Sequence, residues 1–79
     1  MAWIRTQDKN LLFDAHAFWI DNVYNSDKKA IEAEAAYDGD FRIGTFADET
    51  AALEELNRIS LWLSEAAGCG VYQVSSEDQ

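Results

Sequence analysis

Seventy-nine residues with 48% hydrophobic and 13% aromatic content describe one small globular domain, residues 1–79, with a single core and little margin of stability. No run reaches the ~18 apolar residues of a membrane span, and no basic segment followed by an apolar one suggests a secretory signal. Fifteen acidic against six basic residues give a net charge of −9, which repels nucleic acid and anionic membranes alike.

The charge is unevenly spread. Residues 1–30 balance Asp8, Asp14, Asp21 and Asp27 against Arg5, Lys9, Lys28 and Lys29. The surplus lies in residues 31–79, where only Arg42 and Arg58 are basic. A solubilising surface explains it; so does a surface aimed at a basic partner.

Residues 1–6 read as a short strand with Trp3 and Arg5 on one side and Ile4 on the other. The polar turn 7–10 precedes Leu11-Leu12-Phe13, a hairpin pattern. Residues 18–24 read as a second, longer strand, with Phe18, Ile20 and Tyr24 on one face and Trp19, Asp21 and Val23 on the other. A turn follows at residues 25–28.

Residues 29–37 set propensity against pattern. Alanine and glutamate favour a helix, but Ile31, Ala33, Ala35 and Tyr37 alternate with Glu32, Glu34 and Ala36. Helical spacing gives no coherent stripe, so the segment is predicted to be a strand. Asp38-Gly39 then marks a hairpin, and residues 41–46 return with Phe41 and Ile43 inward and Arg42 outward.

The helix is predicted over residues 48–67. Asp48 suits the N-cap and Glu49 the positive end of the dipole. Ala52, Leu56, Ile59, Leu63 and Ala66 form its apolar stripe, flanked by Leu53 and Ala67 on one side and Trp62 on the other; Gly68 ends it. Residues 71–74 have strand character, and residues 75–79 read as a fraying acidic tail. The expected architecture is α+β: a small antiparallel sheet packed against one amphipathic helix, with a short C-terminal strand.

The opening Trp3-Ile4-Arg5-Thr6-Gln7-Asp8-Lys9 resembles the start of a group of small uncharacterised bacterial and phage proteins that open with W-I-R-T-Q-D-K. Gly44-Thr45-Phe46-Ala47-Asp48-Glu49 is similar to that group's glycine–aromatic–acidic entry into its one long helix, and Val71-Tyr72-Gln73 to its terminal strand. The resemblance implies a small sheet with one helix and a phage or prophage setting. It implies no activity.

Candidate chemistry is sparse. One cysteine, Cys69, forms no internal disulfide, which points to a reducing, cytoplasmic compartment. With a single histidine, His16, it does not supply the four ligands of a structural zinc site. Cys69 follows the negative end of the helix, where thiolate formation is opposed. Asp38-Gly39-Asp40 is followed by Phe41-Arg42-Ile43 rather than alternating oxygen ligands, so it reads as a turn and not a metal loop. Glu32 and Glu34 lie on one strand face about 7 Å apart, but a domain this small offers no deep cleft for paired-carboxylate catalysis. The aromatics lack the basic groove that base stacking needs, so Trp3, Phe13, Phe18, Phe41 and Phe46 read as core.

No cofactor or metal is expected. The expected function is non-catalytic protein binding by an acidic surface of Glu32, Glu34, Asp38, Asp40, Asp48, Glu49, Glu54 and Glu55. Its narrowest form is a phage-type, anti-CRISPR-like inhibitor that mimics nucleic acid in a basic groove of a nucleic-acid-handling protein. The alternative is a housekeeping module that forms a homodimer through its helix, with Leu61 and Trp62 as the self-interface.

Overall fold

The computed structural model describes residues 2–66 and 69–77, Ala66 by its backbone alone. Five strands and one helix follow in order: β1 (Trp3–Arg5), β2 (Leu12–Asn22), β3 (Lys29–Ala35), β4 (Asp40–Phe46), α1 (Glu49–Ala66) and β5 (Val71–Gln73). They form one sheet in the order β4-β3-β2-β1-β5. The α+β architecture is therefore as expected, and residues 29–35 are a strand. Burial against both neighbours outweighs their helix propensity.

The sheet is mixed rather than wholly antiparallel. β1 to β4 form an antiparallel meander, but β5 runs parallel to β1. A parallel neighbour needs a crossover connection, and α1 supplies it. Its 18 residues extend about 27 Å, enough to cross the ~19 Å width of five strands.

β2 is one continuous strand of 11 residues, not two separate pieces. A bulge interrupts it between Ala15 and Ala17, leaving His16 as the extra residue. The bulge exchanges the faces: Phe13 and Ala15 before it, and Phe18 and Ile20 after it, all reach the helix-side core. A second bulge, at Ile43 in β4, buries Ile43 and leaves Phe41 at the rim.

Ile4, Phe13, Ala15, Ile31, Ala33, Ile43, Phe46, Ala52, Ile59 and Val74 form the core. Two aromatics expected there lie outside it. Trp3 alternates to the opposite face and is 38% exposed; Phe41 is equally exposed and leans on Phe13, ring centroids 5.1 Å apart. The helix stripe packs as expected through Ala52, Leu56, Ile59 and Leu63, and it differs at its flanks. Glu55 is buried beside Ala52 and Ile59, Trp62 packs against the core, and Leu53 faces solvent. Asp48 caps the helix, its carboxylate accepting the Ala51 N–H at 2.8 Å. Gly68 and Ala67 lie outside the described residues.

The curled sheet is closed by one side chain. The Gln7 amide accepts the Thr45 N–H and donates to the Thr45 carbonyl, each at 3.0 Å, and donates to Ser75 O at 3.0 Å. Its backbone N–H donates to Ile43 O at 2.8 Å. Gln7 thus pairs with the outer edge of β4 as a neighbouring strand would. Gly44 permits the approach from the other side, since a Cβ there would lie 2.9 Å from Val74.

Candidate functional site

The eight acidic residues expected to form one surface are divided by the fold. Glu55 has no exposed surface. It accepts from Tyr72 Oη at 2.8 Å, from the Ser75 N–H at 2.9 Å and from Arg58 at 2.7 Å. Burial pushes its pKa up, but these donors outweigh burial and hold the carboxyl below its ordinary value. Burial and the nearby Glu55 carboxylate push the Tyr72 phenol up to about 12. Glu55 therefore ties α1 to the C-terminal segment and offers nothing to a partner. Its place four residues before Ile59 and three after Ala52 was the available signal.

Two more of the eight are engaged by neighbours. Glu32 pairs with Arg42 at 2.8 Å, and Glu34 with His16 at the bulge. Asp48 is occupied as the helix cap. Asp38 and Asp40 lie at one end of β4, whereas Asp48, Glu49 and Glu54 lie at or beyond the other. The seven residues between span about 20 Å, more than two screening lengths in physiological salt. The acidic residues make separate clusters, not a continuous field.

The expected tail is also anchored. Ser75 bonds to Gln7 and Glu55, and Glu77 pairs with Lys28 at 2.7 Å, so fraying does not begin at Ser75.

The expected self-interface is split in the same way. Trp62 turns toward Tyr72, with ring centroids 5.5 Å apart, while Leu61 remains exposed.

What the sequence reading missed is the sheet face opposite α1. Strand register sets Val71 beside Trp3, and Trp3 beside Asp14; Leu12 lies one step along, opposite Arg5. Ile4, Phe13 and Tyr72 point to the helix, so these neighbours point away from it. Leu12 is 51% and Val71 53% exposed, and with Trp3 they form an apolar strip across three strands. After the bulge the same face continues through Trp19 to the Glu32–Arg42 and Glu34–His16 pairs. Five carboxylates on it (Asp14, Asp21, Glu32, Glu34 and Asp40) face Arg5 and Arg42. Alternation alone carried the signal, since Trp3 shares a side with Arg5.

The W-I-R-T-Q-D-K stretch has a structural reading. Thr6 Oγ1 donates to Asp8 at 2.6 Å, and the Asn10 N–H donates to the same oxygen at 3.0 Å. These bonds hold the Asp8 carboxyl below its ordinary value, chiefly through Thr6. They fix the turn in which Lys9 adopts a φ of 67° and Gln7 is aimed at β4.

No helix among the described residues is long and apolar enough to cross a membrane. Compared with family models, curated proteins and solved structures, the chain matches none.

Proposed function

We propose that the chain is a non-catalytic protein-binding protein that uses its open sheet face, centred on Trp3, against a partner with a basic surface. The observation that carries this reading is the exposure of Trp3, Leu12 and Val71 on three adjacent strands. Tryptophan is among the residue types enriched at interface hot spots, and an exposed apolar strip rimmed by charge marks an interaction surface. The carboxylate surplus around it favours basic side chains at the rim of the contact.

Several residues that chemistry would draw on are already paired, while Cys69 is a free, exposed thiol. His16 holds Glu34, Arg42 holds Glu32, and Glu55 is enclosed by its donors.

The resemblance to small bacterial and phage proteins suggests a phage or prophage setting; a phage-type inhibitor acting in the cytoplasm is the form of protein binding that such a setting would suit. Nucleic-acid mimicry of the anti-CRISPR kind is its narrowest form, and the separated acidic clusters support it less well than the apolar strip supports a protein contact. Dimerisation through the helix rests on Leu61, since Trp62 faces the core.

The test is affinity capture from bacterial host cells with the wild type and with Trp3→Ser plus Val71→Ser. Trp3 is 38% and Val71 53% exposed, and circular dichroism establishes that the variant is folded before capture is scored. A partner retained by the wild type, lost from the variant and weakened by added salt supports the reading. A partner held equally by both removes it.

A further inference from the structure

We propose that the outer edge of β4 at Asp40–Arg42 is a second binding site, which takes an extended, basic peptide segment of a partner protein by strand addition. It is distinct from the open sheet face and stands on different observations.

The first is hydrogen bonding. Opposed residues of an antiparallel pair alternate between bonding each other and pointing their N–H and C=O groups away. Ala35 N–H donates to Gly39 O at 2.9 Å, which fixes the phase. With Ala33 opposite Phe41, that pair bonds inward, and the backbone groups of Asp40 and Arg42 point to the outer edge. The same phase past the bulge turns Thr45 outward, where Gln7 takes both its N–H and its carbonyl. Ile43 O is taken by the Gln7 backbone. Among the described residues, the bonds that close this edge run from Ile43 to Thr45.

The second is space. Beyond Gln7 the turn at residues 6–11 and β4 stand apart across a groove of about 320 Å³, lined among others by Asp8, Asn10, Leu11, Phe41 and Arg42. Residues 40–42 offer about 7 Å of edge, room for two or three residues of an added strand. Gln7 already imitates one peptide unit of that strand, so an incoming segment continues a line of pairing that the fold has begun.

The third is the lining. Leu11 and Phe41 are each 38% exposed and supply an apolar floor. Asp8 lines the groove and Asp40 sits on its edge, next to Asp38 in the turn. The positive charges nearby are Arg42, met by Glu32 at 2.8 Å, Lys9 in the opposite turn, and Arg5, whose Nε donates to the Lys9 carbonyl at 3.4 Å; against them stand Asp8, Glu32, Asp38 and Asp40. The carboxylates are in excess, so an apolar side chain flanked by Lys or Arg fits, and an acidic segment does not. Main-chain bonds give such additions their affinity, and alternate side chains their selectivity.

The test uses the whole chain labelled with ¹⁵N and an acetylated heptapeptide alternating lysine and valine. Three comparators are the peptide N-methylated at its central valines, the peptide with glutamate for lysine, and the chain carrying Phe41→Ser. Saturable shifts at the Asp40 and Arg42 amides, with slowed exchange there, are expected. N-methylation, charge reversal and Phe41→Ser should each weaken binding about tenfold, the equivalent of one lost hydrogen bond or contact. Equal binding of the N-methylated peptide overturns the proposal. So do shifts confined to Val71–Gln73 or to Trp3, or no saturable shift with millimolar peptide.

Discussion

Replacing Glu55 tests how the helix is tied to the rest of the molecule. Glu55→Ala leaves the Tyr72 hydroxyl, the Ser75 N–H and the Arg58 guanidinium without their acceptor. Arg58 is half exposed and turns to water, so its loss counts for little. The other two donors are partly buried, and each costs about 1–3 kcal/mol when orphaned. The cavity left by the side chain adds to this, giving about 3–5 kcal/mol. A chain of 79 residues has only about 4–12 kcal/mol in total, so the variant loses roughly a quarter or more of its stability. Glu55→Gln keeps the shape and one acceptor oxygen, and should cost about 1–2 kcal/mol, or roughly 4–16 °C in Tm. The pH dependence gives a sharper check. The folded pKa of Glu55 lies below its ordinary 4.5, so its stabilisation is present above that value and is lost as pH falls through the folded value. Glutamine does not titrate. The stability gap between wild type and Glu55→Gln, measured by urea denaturation, should therefore narrow steadily below about pH 4.5. A gap that stays constant from pH 7 to pH 3, or an alanine variant costing under about 0.5 kcal/mol, refutes the reasoning.

Gln7→Ala removes the bridge to Thr45 and Ser75 and should cost about 2–3 kcal/mol by urea denaturation, with amide exchange quickening at Thr45 before the centre of β3. Gly44→Ala sets a methyl 2.9 Å from Val74 and should cost about 1–3 kcal/mol; a neutral effect would show that the C-terminal segment moves aside freely. Tyr72 should ionise near pH 12, visible as the late phenolate absorbance that Tyr72→Phe abolishes. Because its folded value is raised, its stabilisation holds below about pH 10 and is lost as pH rises toward 12; Glu55→Gln should move the late step to lower pH. Leu61→Glu should leave stability unchanged within about 0.5 kcal/mol, and light scattering should give the same mass as the wild type, because Trp62 is not part of the same surface.

Much of the fold was legible because local signals agreed with one another. Asp48 before an apolar stripe gave the helix start, Asp38-Gly39 gave the β3–β4 turn, and the alternation of Ile31, Ala33 and Ala35 overrode their neighbours' helix propensity. What stayed hidden depended on residues distant in sequence. The bulge at His16 divides what pattern reading saw as two segments, since a two-residue period cannot survive an inserted residue. Glu55 looked like surface because a glutamate is almost never fully buried unless its oxygens are met, and the donors that meet them lie 17 and 20 residues on. Gln7 looked like a turn residue; its partner Thr45 is 38 residues away. The acidic residues were adjacent in number but are separated by the length of β4 and by their own pairings, so charge counted along the chain overstated charge gathered in space.

Photo-crosslinking from single positions tests the proposed function most directly. A benzophenone side chain placed at position 3, 53 or 61 in turn, in bacterial host cells, reports which face meets a partner. A heterologous adduct is expected from position 3, formed in lower yield as salt is raised, and none from positions 53 and 61. Adducts from position 61 alone, or a crosslinked dimer of the chain itself, would contradict the proposed function.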